Sequence, residues 1–209
     1  MTSGLLLRAT YGEIAPDERR AKMLKAAMIV VARNDVTNAT MDRIADQAGV
    51  SRVTLYREFG NRSSLFEAVI AYRLMLFDRR FFERTALPQS FSDLLGAYLQ
   101  ASTRVSLRNP VTRRWVTGGL SFLREGSQIH RVAVATWSPI LEHYRQNGAM
   151  RKSVNARDMV LWINILQYSF SRLTVETDIS QTKIHKIVQD FVLPAFIDAQ
   201  GDILASEAP

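Results

Sequence analysis

Between Thr40 and Arg62 the chain carries Arg43, Ser51, Arg52, Val53, Thr54, Tyr56, Arg57 and Arg62. Arginine presents a planar fork of donors that matches phosphate oxygens and the edge of guanine. Threonine and tyrosine hydroxyls bond phosphate, and a small apolar side chain packs on the thymine methyl. Gathered on one surface, such groups bind duplex DNA. Thr40, Tyr56, Arg57 and Arg62 suit phosphates, whereas Arg52, Val53 and Thr54 suit base edges. Arg43 is a further candidate just upstream, and Ser51 opens the segment that carries most of the set.

The local sequence says how these residues are held. Thr40 is a good helix N-cap, and Ile44, Ala45 and Ala48 recur at helical spacing until Gly49, which can take the left-handed conformation that ends a helix. Ser51 can cap a second helix whose inward residues are Leu55 and Phe59. Helix, tight glycine turn and second helix form the helix-turn-helix plan, in which the second helix enters the major groove. An ordinary hairpin in a bundle core would expose a solubilising Glu/Lys mixture on that second helix. This one exposes Arg, Thr, Tyr and Arg.

Ile44-Ala45, Ala48-Gly49-Val50-Ser51, Thr54-Leu55-Tyr56 and Phe59, followed by a capped helix with a basic first residue and Leu65, resemble the signature of the tetracycline-repressor (TetR) family of bacterial regulators. Two positions depart from it. Asp35 stands where a loop glycine is usual, and Arg62-Ser63 replaces the usual Lys-Glu; Asp tolerates the left-handed region and Arg keeps the charge. The resemblance implies that Thr40, Tyr56 and Arg62 contact phosphate. It also implies that the next helix links a DNA head to a ligand body, that the last two helices form a four-helix dimer interface, and that repression is the default action.

Composition fits a small regulator. The 209 residues, 47% of them hydrophobic, suffice for a full core. No apolar run approaches the roughly 20 residues that span a bilayer, and Leu5-Leu6-Leu7 lacks the basic flank of a signal peptide, so a cytoplasmic location is expected. There is no cysteine, hence no disulfide or thiolate metal site. Net charge is +7, of which +3 falls within the first 65 residues, a denser basic excess than in the remainder. The three histidines, His130, His143 and His185, lack paired metal spacing, and there is neither a glycine-rich phosphate loop nor a nucleophile elbow. An enzyme, a metal and a cofactor are therefore not expected.

Further along, residues 1–15 read as a loose arm. A helix opening near Pro16 follows, with Leu24, Ala27, Met28 and Val31 inward and Arg19, Arg20, Lys22 and Lys25 as a solvated face. A longer helix runs from Asn61 to about Phe82, and another starts at Ser90. Residues 111–124 suggest a short or kinked helix around Gly118-Gly119, and Ile129 to Tyr144 an amphipathic one kinked at Pro139. The run Met159 to Tyr168 is apolar almost all round, which demands burial on every side. After Ser180, Ile184, Val188, Phe191 and Val192 supply a homodimer face.

The expected fold is all-α: a three-helix helix-turn-helix head at residues 16–65 and a helical bundle body at 66–199, about nine helices in all. Trp115, Phe122, Trp137, Tyr144, Trp162 and Phe170 are the candidate lining of an apolar ligand pocket in the body, with Asn164, Gln167 and Ser169 as orienting groups. The leading expectation is a DNA-binding repressor, released from a near-palindromic operator by a hydrophobic small-molecule effector. A ligand-insensitive DNA-binding or architectural protein comes second, and an enzyme a distant third.

Overall fold

The computed structural model describes residues 14–88, 90–108, 126–150, 153–177 and 179–195. Its α-helices, in chain order, are α1 (Glu18–Asn38), α2 (Met41–Ala48), α3 (Arg52–Phe59), α4 (Arg62–Arg84), α5 (Phe91–Arg108), α6 (Gln128–Gln146), α7 (Ala156–Glu176) and α8 (Gln181–Ile187). No strand occurs among the described residues, and the chain is all-helical as expected. The helix anticipated over residues 111–124 lies outside the described residues.

Short polar side chains punctuate the fold. Asp17, Thr40, Ser51, Asn61, Ser127, Asn155 and Ser180 each accept a backbone N–H from the first turn of the helix that follows. Each satisfies a donor that the helix itself cannot, worth about 1 kcal/mol. α1 opens beside Pro16 as expected, with Asp17 as its cap.

α1 to α3 and the start of α4 enclose one core, in which Leu24, Ala27, Ile44, Leu55 and Leu65 are fully buried. Further along α4, Phe82 continues that core with Phe91, Tyr98, Trp137 and Tyr144, against α5 and α6. α4 is continuous across residues 65 and 66, so one helix spans both parts of the core. The N-terminus of α6 is fastened to it as well, since the Gln128 N–H donates to the Glu67 carboxylate at 2.7 Å.

Several local expectations are revised. Asp35 lies inside α1, which runs on to Asn38, so no left-handed loop residue is needed there. α6 holds Pro139 inside its length, as the amphipathic run from Ile129 to Tyr144 implied. α7 is not covered on every side: Leu161, Trp162 and Leu173 remain exposed in the single chain. The last helix changes register after Ile187, passing into a π-helical segment, Val188–Val192, and a 3-10 turn, Leu193–Ala195. Pro194 lacks an N–H and cannot donate to the carbonyl four residues back, which removes one α-helical bond from this end.

Candidate nucleic-acid interface

α3 is eight residues long, too short to stand alone, and is held by its two inward side chains, Leu55 and Phe59, both buried. The turn before it depends on Gly49, at φ 67° and ψ 40°, whose N–H is shared between the Ala45 and Asp46 carbonyls. A side chain there would meet the left-handed penalty. The Ser51 hydroxyl then accepts from the Thr54 N–H at 3.1 Å and bonds the Thr54 hydroxyl at 2.9 Å. Cap and turn together point the outer face of α3 at solvent.

That face carries Arg52, Val53, Tyr56 and Arg57, all exposed. Val53 is 76% exposed, a cost in water that contact with an apolar group would recover. The Arg52 guanidinium lies 5.3 Å from the centre of the Tyr56 ring and 3.2 Å from an Asp42 carboxylate oxygen. Hydrogen bonding to Tyr56, then the Asp42 charge, hold it more firmly protonated than a free arginine. Asp42 is itself exposed, so the pair is weakly held and can be exchanged for another anion. Arg43, on α2, donates to the Asn38 carbonyl at 3.2 Å, and its backbone N–H meets the Thr40 hydroxyl at 3.3 Å.

Arg62 is placed differently from its neighbours. Its Nε donates to the Ala39 carbonyl at 3.1 Å, its terminal nitrogen reaches the carbonyls of Val36 and Thr37, and the guanidinium lies 4.8 Å from the centre of the Phe66 ring. It therefore caps the C-terminal end of α1, where a cation meets the negative end of the helix dipole. Arg20, assigned from sequence to a solvated face, is a tie between α1 and α3. It pairs with the Glu58 carboxylate and lies 4.6 Å from the centre of the Phe59 ring. Sequence spacing carries no signal for a contact 38 residues apart.

The body residues divide. Trp115 and Phe122 lie outside the described residues. Trp137 is buried, edge-on to Tyr98 at 4.7 Å and to Phe82 at 5.7 Å. Tyr144 is buried too, its hydroxyl donating to the Pro88 carbonyl at 2.6 Å. Phe170 is buried, whereas Trp162 is 41% exposed. Trp137 and Tyr144 are thus parts of tight aromatic packing, and Trp162 faces out of the chain. Among the proposed orienting groups, Asn164 is buried.

The anticipated dimer residues divide by their exposure in the single chain. Ile184, Val188 and Val192 are buried within the chain's own core, and only Phe191, 77% exposed, points outward. The helical period identifies an apolar face but not what covers it. Sequence reasoning also missed Asp78, fully buried on α4, which accepts from the Tyr98 hydroxyl at 2.8 Å and the Thr136 hydroxyl at 3.0 Å. Its one sequence signal is a carboxylate interrupting an apolar helix. Among the described residues no helix is long and apolar enough to cross a membrane.

Comparison with known proteins bears on the head and the fold separately. Residues 23–69 match the family described as bacterial regulatory proteins, tetR family. The transcriptional regulator SrpR of Pseudomonas putida is 31% identical over 85 residues, covering 41% of this chain and 40% of SrpR. The transcriptional activator FasR of Mycolicibacterium smegmatis is 44% identical over 54 residues, 26% of this chain and 25% of FasR. The chain thus spans well under half the length of these two relatives. The crystal structure of RolR in complex with resorcinol has the same fold over 92% of this chain and 95% of that one, at 16% identity and a TM-score of 0.66. Residues 23–69 are thus similar in sequence to the tetR family of bacterial regulatory proteins, and most of the chain shares the fold of a solved structure.

Proposed function

We propose that the protein is a DNA-binding transcriptional regulator, working as a homodimer, whose head at residues 16–65 reads an operator and whose body at 66–199 dimerises and takes a small apolar effector. The observation that carries this reading is the outer face of α3, where Arg52, Val53, Tyr56 and Arg57 stand exposed above a fully buried anchor. In the major groove Arg52, Val53 and Thr54 meet base edges, and Thr40, Tyr56, Arg57 and Arg43 meet phosphates. Arg62 is kept among the phosphate candidates, with the qualification that its guanidinium already serves α1. Two heads on a twofold axis read a near-palindromic site.

Selection from random-sequence duplexes should yield one such motif, and its affinity should fall steeply with salt. Recovery of no motif would remove α3 as a reading helix.

Release by an effector is the mode favoured here, acting through α4, because that helix is packed in both parts of the core and receives α6 through Glu67. The neighbour RolR was crystallised with resorcinol, a small aromatic molecule, which supports an effector of that character. The packing of Trp137 and Tyr144 inside the core favours the second reading, DNA binding insensitive to ligand. Operator binding measured while small aromatic compounds are titrated separates the two, since only the first reading gives concentration-dependent release.

A further inference from the structure

We propose that the cleft between α1, α4 and α5, where Arg73, Arg80 and Arg84 stand beside Phe77 and Phe81, binds a small aryl carboxylate. The five residues fall at the spacing of one helix face. The cleft measures about 500 Å³, a size that suits a small organic ligand, and is completed by Met28 from α1 and Val105 from α5.

Charge is the first argument. Among the described residues no carboxylate pairs with Arg73, Arg80 or Arg84, while the nearby Glu83 is taken by Arg79 at 2.9 Å. Arg73 is half-buried, and desolvation, then the charge of Arg80, weaken its hold on its proton. Two neighbouring cations, one partly removed from water, are an unfavourable arrangement that a bound anion would relieve.

Shape is the second. The Phe77 and Phe81 rings lie 6.1 Å apart at 29° to one another, a stacked pair that offers flat apolar surface next to the guanidinium groups. From Arg73 to Arg84 the helix rises about 16 Å, so a single bare anion cannot engage the whole stripe. A molecule with a carboxylate for the arginines and an aromatic body for the phenylalanines uses both halves of the site. Its occupant would touch α1 of the head and α5 of the body at once.

Calorimetric titration of the full-length protein with naphthalene-2-carboxylate tests this, alongside neutral 2-naphthol and inorganic phosphate. The titration contains no DNA, so its outcome is independent of the operator reading. Saturable carboxylate binding is expected. It should weaken about tenfold in Arg80→Gln and in Arg73→Gln, and stay unchanged in Arg79→Gln, whose side chain lies outside the cleft. Circular dichroism checks the fold, and Arg80, being exposed, can be replaced even if Arg73 cannot. Equal affinity in wild type and Arg80→Gln, or no carboxylate binding at all, would overturn the site. Binding of 2-naphthol or phosphate as tight as that of the carboxylate would overturn its ligand class.

Discussion

Asp78 is a fully buried carboxylate, and among the described residues no cation is paired with it. Burial raises its pKa and the hydrogen bonds from Tyr98 and Thr136 offset only part of that rise, leaving it at about 7. In the unfolded chain it ionises near the ordinary aspartate value of about 3.9. Between these two values the folded protein holds a proton that the unfolded one has lost, so stability falls as pH rises from about 4 to about 7 and then levels off. Asp78→Asn keeps the shape, can still accept from Tyr98, and removes the titration. Relative to wild type it should gain stability of order 3 kcal/mol between pH 4.5 and pH 8, read from urea unfolding at both. Parallel pH profiles would show that Asp78 does not titrate in this window. On the outer face of α3 two residues should separate by their kind of effect. Arg57→Ala should weaken all operators alike and lower the salt slope by about one, whereas Val53→Ala should lose affinity at its own base pair, by about 1 kcal/mol.

At the scale of elements, α3 depends on what lies behind it. A two-turn helix has little stability of its own, so its position is set by Leu55, Phe59 and the Arg20 tie to Glu58. Arg20→Ala should cost about 1 kcal/mol of thermal stability and also weaken operator binding, although Arg20 is not among the proposed DNA contacts. Unchanged affinity in that variant would mean that Leu55 and Phe59 suffice. α4 is the element through which head and body can influence one another. Its first residue caps α1, Glu67 meets the start of α6, and Asp78 reaches α5 and α6. Glu67→Ala leaves an α6 N–H without its acceptor, and should reduce effector release of DNA more than it reduces DNA binding itself.

For the whole molecule, the outward residues decide what can associate. Leu161, Trp162 and Leu173 on α7 and Phe191 on the last segment are large apolar side chains left exposed in one chain. Exposed large apolar side chains are candidates for an interface, and the proposed twofold dimer is the simplest way to cover them. Phe191→Asp or Trp162→Asp should therefore give folded monomers in sedimentation that bind the operator poorly. Val188→Asp should instead unfold the body, because Val188 is 1% exposed inside the chain and an unpaired charge cannot be accommodated there. Dimers persisting in both outward variants would place the interface elsewhere.

Much of the head was legible from residues alone, because local rules govern it. Caps at Thr40, Ser51 and Asn61, the left-handed Gly49, and the inward Leu55 and Phe59 are fixed by neighbours a few positions away. The all-helical character of the body followed from period for the same reason. Period shows that a face is apolar but not which surface covers it. Only the tertiary structure turned Ile184, Val188 and Val192 inward and left Phe191 and Trp162 outside. Nor can spacing foresee partners distant in the chain. Arg62 on the carbonyls of α1, Arg20 on Glu58, and Asp78 between Tyr98 and Thr136 are joined by helices crossing in space. Identity and local order of the side chains came from the sequence, and their company was decided by packing, because burial and charge pairing are properties of the assembled chain.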